Sequence, residues 1–458
     1  MRLLLTAVLS LAVNVVTPGP ANADDTNPSS QLVEEMSGTN LVRHLQAFQD
    51  IADRNGGNRA AGTPGYDESA DYVESQLKSA GYEVISDPFE FMYFKELAPA
   101  QLKLTNKYPA GGPAAPPQAI SAITIRHSGS GRVTGPVRDA SAGCLPTDFA
   151  GFEVGAVAKV VRGTCTFQQK ISNAVAAGAA AVVVVNDREG DLRGGLELPA
   201  TVPVVGVRKQ DGAMDGQVEV VTSTVSERRV TRNLIVQTPH GRTDEVVMVG
   251  AHLDSVTEGP GVNDNGSGSA AVLELALRLA RFQPDRAVRL VWWSAEEVGL
   301  LGSLHYVSAL PQRERENIAL YLNFDMIASP NGIYGIFDGD DSDLIGKGPG
   351  PLGSEEIERT FEEYFDSRSL PHVGTDFSGR SDYGPFIAVG VPAGGLFTGA
   401  EDRKTAEQVA FFGGIADAPL DPCYHQVCDT IKNVDLAALD VNADALAHVV
   451  GQYAFHDR

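Results

Sequence analysis

Three short apolar runs, 246–250, 288–293 and 318–324, each break off at a residue able to bind a metal or move a proton. The first stops at Ala251 and His252, the second just before Glu296 and Glu297, and the third at Asp325. Runs this short, rich in β-branched and aromatic residues, read as strands. Between the first two lies a helical stretch with Val272, Leu273, Ala276 and Leu279 on one face, Ser267 or Ser269 as N-cap, and Pro284 beyond its end. Strands alternating with helices build a sheet covered on both faces, and such sheets bind ligands at the carboxyl ends of their strands. The expected fold class is therefore α/β, a mostly parallel or mixed central sheet flanked by helices.

The rest of the chain divides around that unit. Helices are expected at 41–51 and 66–80, the second carrying Tyr72, Val73 and Leu77 on one face and ended by Gly81, and a strand at 82–91. Composition then turns to Pro, Ala and Gly over 108–118, a boundary or long loop. Strands at 119–126, 156–161, 180–186, 202–207 and 218–221, with a helix around 172–178, form a small β-rich unit. The first pattern resumes at 232–236, so this unit is an insertion. The expected organisation is a signal peptide at 1–23, one discontinuous domain at 24–98 and 228–458, and an inserted domain at 99–227. Further helices are expected around 303–310, over 355–367, and from Asp435 to the C-terminus. The acidic, Gly-bearing stretch 338–343 reads as a solvated loop, with calcium as the rarer alternative.

A formal net charge of −23 argues against nucleic acid and anionic membrane surfaces, which select Lys and Arg. Met1-Arg2, an apolar run over 3–16 and Ala21-Asn22-Ala23 together have the layout of an export signal. That run is shorter than the roughly 20 residues that span a bilayer. A secreted, soluble, monomeric chain is expected. Secretion permits disulfides. Cys423 and Cys428 lie together, as do Cys144 and Cys165, so pairing within each region is the natural choice among the three connectivities.

His nitrogen and carboxylate oxygen are zinc donors, and hydrolytic sites leave a position for water. Two neighbouring zinc ions need a donor that touches both, which the two oxygens of one carboxylate allow. Asp264, in the Gly/Asn-rich loop 264–268, is the candidate bridge. His252 and Asp325 would hold one ion; Glu297 and a second histidine, His425 or His372, the other. Spacing alone does not choose between those histidines. Two zinc ions bring four positive charges against the three carboxylates Asp264, Glu297 and Asp325, an excess that favours deprotonated water. Glu296 is then left free to take the water's proton and pass it to a leaving amine. Asp254, two residues past His252, is placed to accept that ligand's other N–H. Taken singly, each of these residues is more often structural; it is their joint occurrence at strand ends that points to metal.

His252-Leu-Asp254, Asp264-Asn-Gly-Ser-Gly268, Glu296-Glu297, Asn323-Phe-Asp325-Met326 and Cys423-Tyr-His425 together resemble the secreted two-zinc bacterial aminopeptidases, whose wider family includes glutamate carboxypeptidases, glutaminyl cyclases and receptor ectodomains. The likeness covers about 37–90 and 232 to the C-terminus, and the segments 55–59 and 379–383 add to it. The insertion resembles a protease-associated (PA) domain, through 162–167 and 174–186. The resemblance implies a zinc exopeptidase fold, two Zn2+, and peptide or protein N-termini as substrate, with apolar first residues such as Leu preferred. It selects His425 as the fifth ligand. It implies that Tyr424 hydrogen-bonds the tetrahedral oxyanion, that Arg380 holds substrate, and that Met326 and Phe397 line an apolar pocket. It places the free α-amine near Glu296 and Asp325. It also implies a Cys423–Cys428 disulfide bracing Tyr424 and His425, and a cis peptide at Asp264-Asn265. Some members bind calcium near the C-terminal helix, where Asp440 and Asp444 match, although their N-terminal partner is Glu35 here in place of Asp. The competing expectations are a carboxypeptidase, for which Arg380 alone speaks, a non-catalytic receptor-like protein, and a glutaminyl cyclase.

Overall fold

In the computed structural model, which describes residues 27–106 and 117–455, the chain opens with helices α1 (Pro28–Glu35), α2 (Gly38–Arg54) and α3 (Pro64–Ser79). There follow β1 (Ile85–Asn106), β2 (Gln118–Ile120), β3 (Ala122–Thr124), β4 (Gly131–Asp139), β5 (Val157–Val161), α4 (Phe167–Ala176), β6 (Ala181–Val185) and β7 (Val204–Val207). The chain returns through β8 (Gln217–Gln237) to β9 (Arg242–His252), α5 (Gly266–Leu279), β10 (Arg286–Trp293), α6 (Leu301–Ala309), α7 (Gln312–Glu316) and β11 (Ile318–Phe324). The last part holds β12 (Gly335–Phe337), α8 (Ser354–Ser367), β13 (Val373–Thr375), α9 (Tyr383–Ala388), β14 (Ala393–Phe397), α10 (Ala406–Phe412) and α11 (Leu436–Ala454). The export signal at 1–23 lies outside the described residues, as does most of the stretch 108–118.

The larger sheet runs β13-β12-β14-β11-β9-β10-β8-β1. Its centre, β14-β11-β9-β10, is parallel, while β12 against β14 and β8 against β10 are antiparallel. It is the mixed, helix-flanked sheet expected. The central strands are apolar throughout because both faces are covered. On one face Val247, Val249, Leu290, Trp292, Leu322 and Phe324 pack with residues of α2, α3, α5, α8 and α11. On the other, Met248, Val291, Trp293 and Tyr321 pack with Tyr306 and Val307 of α6 and Phe386 of α9. Helix α5 is buried around nearly all its circumference, as a helix wedged between sheet and outer helices must be.

The insertion builds a second sheet, β4-β5-β6-β7-β3, with its first four strands parallel and α4 against it. It is joined to the larger sheet by β1 and β8, an antiparallel ribbon that pairs from Ile85↔Ile235 to Asn106↔Gln217. Over 223–233 β8 pairs with β1 alone; below that it also pairs with β4, and above it with β10. The register of the ribbon shifts between Glu96 and Gln101. The expected strands 218–221 and 232–236 are thus one strand, β8. The polar stretch 226–229 hid that continuity, since a ladder needs backbone partners and no apolar side chains. For the same reason β1 runs on well past the expected 82–91. Strand 119–126 is broken into two, and β4, interrupted in sequence by Gly135 and Pro136, was not foreseen.

Candidate metal centre

The carboxyl ends of β9, β10 and β11 meet at one point. His252 is the last residue of β9, Glu296 and Glu297 follow β10 after a left-handed Ala295, and Asp325 follows β11 ahead of a left-handed Met326. His252 Nε2 lies 3.3 Å from Asp264 Oδ1 and 3.4 Å from Asp325 Oδ1. His425 Nε2 lies 3.2 Å from Asp264 Oδ2 and 3.0 Å from Glu297 Oε2. Asp264 therefore stands between two histidines, presenting one oxygen to each. All five residues named from sequence are brought together. Donor atoms of His252, Asp264 and Glu297 lie within 4.8 Å of one another, and so do those of His252, Glu296 and Asp325. Glu296 is thus close enough to join the donor set, although sequence reasoning kept it apart.

The loop that carries Asp264 is held from outside the site. The Asp264–Asn265 peptide is cis, as the resemblance implied. Asp429 accepts the N–H groups of Asn263 at 2.8 Å and Asp264 at 3.0 Å through its two carboxylate oxygens. Asp421 accepts from the Asn263 amide at 2.6 Å. Asn265 Oδ1 accepts from Gly268 N–H and caps α5, a task expected of Ser267 or Ser269. Those hydroxyls instead donate to the carbonyls of Asn263 and His252. A side chain wins the cap only if its backbone sits just outside the helix, and here that residue is Asn265.

Arg59, fully buried, threads under the same loop. Its guanidinium donates to the carbonyls of Leu253, Pro260 and Gly261, fixing both ends of the segment between His252 and Asp264. Burial lowers its pKa to about 10, against the pull of Asp254, Asp429 and Asp264. A second chain of donors orients Asp325. Trp293 Nε1 donates to Tyr321, Tyr321 to Asn323, Asn323 to Ser381, and Ser381 to Asp325 Oδ2 at 2.5 Å. His252 Nδ1 lies 3.0 Å from the main-chain oxygen of Asp254 and 3.7 Å from its carboxylate. Asp254 does receive the histidine's other ring nitrogen, but through its main-chain oxygen and not through the side chain expected to accept it. Strand β9 ends at His252, so the chain turns and offers its carbonyl first, while Asp254 Oδ1 accepts Glu296 N–H at 3.2 Å.

Electrostatics test whether cations fit. Glu297 is pushed up to about 8 by burial and by Asp264, and Glu296 is pushed well up by burial and by Glu297, Asp325 and Asp382, against His252. Burial opposes charge on His252 and His425, yet the carboxylates outweigh it and raise both, His425 to about 10. Asp264 is held low in spite of burial by its bonds to the two histidines. Glu297 Oε1, Asp254 Oδ2 and Asp382 Oδ2 are buried without a hydrogen-bond partner. This is an excess of buried negative charge that protons compensate only in part, and divalent cations suit it better. The residues fit divalent zinc.

The cleft at the cluster is lined by the apolar or aromatic residues Met326, Phe337, Tyr383 and Phe397 and by the polar residues Asp376, Ser378, Arg380, Asp402 and Tyr424. Arg380 pairs with Glu401 at 3.1 Å and keeps its side chain 64% exposed, so it is free to swing. The Tyr424 ring stacks on His425 at 3.8 Å, and burial followed by Asp264 and Glu297 raises its phenol. The disulfides are Cys144–Cys165 and Cys423–Cys428. The second encloses Tyr424 and His425, the latter at φ 57°. Elsewhere, Asp440 and Asp444 lie on α11, where burial and Asp440 push Asp444 up to about 6. Glu35 pairs with Arg281 at 2.5 Å. Among the described residues, those lining the cleft all lie outside 99–227. Arg59, Ser381, Asp382 and Asp429 carry the site without having been assigned individual roles from sequence. Arg59 and the 381–382 pair fall inside segments that the resemblance singled out, whereas Asp429 had no such signal.

The description "Peptidase family M28" matches residues 233–450, and "PA domain" matches 133–214. An aminopeptidase of Pseudomonas aeruginosa is 44% identical over 90% of this chain and 80% of its own. Leucine aminopeptidase 2 of Trichophyton rubrum is 39% identical over 94% of this chain and 86% of its own. Among solved structures, the aminopeptidase from Aneurinibacillus sp. strain AM-1 superposes with a TM-score of 0.73 at 25% identity, covering 94% of this chain and 97% of that one.

Proposed function

The chain belongs to peptidase family M28 and carries a PA domain, and from that premise we propose that it is a secreted aminopeptidase that holds two zinc ions and removes N-terminal residues from peptides, apolar ones such as Leu by preference. The observation that carries this reading is Asp264, one oxygen toward His252, which also meets Asp325, and the other toward His425, which also meets Glu297. His252, Asp264 and Asp325 would hold one ion and His425, Asp264 and Glu297 the other. Zinc bound there polarises the scissile carbonyl and makes water acidic at neutral pH.

The chain's own groups do the rest. Glu296 takes the proton of the attacking water and returns it to the leaving amine, the role of a positioned general base and then acid. Tyr424 donates its phenolic proton toward the oxyanion, and stacking on His425 fixes its ring beside the centre. Glu296 and Asp325 offer negative charge to a free α-amine. Met326 and Phe397, with Phe337 stacked behind, supply an apolar wall for the first side chain. Arg380 steadies the remainder of the substrate. Among the described residues it is the only Lys or Arg lining the cleft, which gives a carboxypeptidase little to bind a terminal carboxylate with. In this proposal the export signal is 1–23, the peptidase domain 24–98 with 228–458, and the insertion 99–227.

The test is hydrolysis of Leu-p-nitroanilide and of matched peptides with free or acetylated N-termini, with and without chelator. Cleavage of free N-termini alone, lost on chelation and restored by zinc, is expected. Equal cleavage of acetylated peptides would sink the aminopeptidase assignment.

A further inference from the structure

A second cluster of oxygen donors lies at the turn after β12. Asp338 directly follows that strand and is 1% exposed; Glu358, on α8, is 4% exposed; Asp340 stands at the surface beside them. One carboxylate oxygen from each lies within 4.8 Å of the others. Asp338 Oδ2 accepts Asp343 N–H at 3.2 Å, but Asp338 Oδ1 is buried with no hydrogen-bond partner. Leaving a carboxylate oxygen desolvated and unpaired is costly, so such an atom calls for a ligand. No Lys, Arg or His pairs with Asp338, Asp340 or Glu358 among the described residues; burial and mutual repulsion raise Asp338 and take Glu358 to about 7.

The donor chemistry identifies the ligand. Carboxylates without imidazole or thiolate suit hard cations, and an irregular, partly exposed set suits calcium better than the rigid octahedron of magnesium. Asp338, Asp340 and Ser342 alternate along the loop, as oxygen donors do in calcium-binding loops. Glu358 already orders the backbone there, accepting Gly339 N–H at 2.8 Å and Asp340 N–H at 3.2 Å. We propose that Asp338, Asp340 and Glu358 bind one calcium ion that ties the turn after β12 to helix α8. The site shares no residue with the zinc donors. It braces the cleft all the same: Phe337, adjoining Asp338, and Thr375, on the paired strand β13, both line the cleft.

The experiment is calorimetric titration of CaCl2 into the zinc-containing full chain, with thermal unfolding of the same samples. One calcium per chain is expected, at a Kd on the order of 10⁻⁴–10⁻³ M. At 10 mM CaCl2, about 10–100 times that Kd, the melting temperature should rise on the order of 2 °C. Asp340→Asn, at an exposed position that leaves the fold intact, and Glu358→Gln should each weaken binding about tenfold or more, with zinc content unchanged. Asp444→Asn, on α11, should leave it unaltered. The proposal is overturned if neither heat nor a melting shift is seen at 10 mM CaCl2. It is overturned equally if the response survives both Asp340→Asn and Glu358→Gln, or is lost in Asp444→Asn alone.

Discussion

Adjacent in sequence, Glu296 and Glu297 occupy different places in the cluster. Glu297 Oε2 is drawn to His425 at 3.0 Å, whereas Glu296, only partly buried, lies beside His252 and Asp325 with no histidine partner as short among the described residues. Glu296→Ala should lower kcat by about 10²–10⁴ while two zinc ions remain bound, measured by nitroanilide kinetics and metal analysis. A parallel loss of zinc would make Glu296 a ligand instead. Arg59 acts at the same scale from beneath. Its replacement by Ala abandons three buried carbonyls, so Arg59→Ala should cost about 3 kcal/mol or more in urea unfolding and weaken zinc retention through the loop that carries Asp264. His252, Glu297 and Asp325 were legible in sequence because each closes or follows a strand with a clear apolar run, whereas Asp264 was picked out by its Gly/Asn-rich loop and His425 only by the family resemblance. Asp429 was not, because a lone acid after a cysteine carries no periodicity, and its role exists only once the fold brings it to the Asn263 and Asp264 amides.

At the level of elements, the strands that read most clearly are those buried on both faces. β10 and β11 fall where their apolar runs do, because nothing else can fill the space between two helical layers. β1 and β8 read poorly because their joint ladder crosses exposed, charged sequence, and β4 because Gly135 and Pro136 break its pattern. The Cys423–Cys428 loop shapes the cleft directly, since it presents both Tyr424 and His425. A bridge spanning so few residues stabilises the folded chain by only about 2 kcal/mol in the chain-entropy account. Cys423→Ser with Cys428→Ser should therefore lower stability by that modest amount in chemical unfolding, yet reduce kcat far more, by about tenfold or beyond, through misplacement of the oxyanion donor. A loss of activity no greater than the loss of stability would deny the loop its positioning role.

Across the whole molecule, two sheets share one ribbon, and a groove between them is lined by Arg126, His127, Leu196 and Glu197 from the insertion and by Phe89, Leu304 and His305 from the peptidase side. His127 packs edge-on against Phe94 of β1, and burial, helped by Arg126, lowers its pKa from 6.5 to about 4. Because the folded state then binds fewer protons than the unfolded one, the contribution is whole above pH 6.5 and is lost as pH falls toward about 4. His127→Gln should flatten that part of the stability–pH curve in calorimetric unfolding, and an unchanged slope would count against it. The insertion as a unit was visible in sequence from its own rhythm of strands. How it attaches was not, since a continuous ladder leaves no mark at the crossing point. The central claim is the doubly shared Asp264, and zinc per chain in dialysed protein, read by inductively coupled plasma mass spectrometry, tests it most directly. The account predicts two zinc ions in the native chain and fewer in Asp264→Ala; none or one in the native chain, or two retained in the variant, would contradict it.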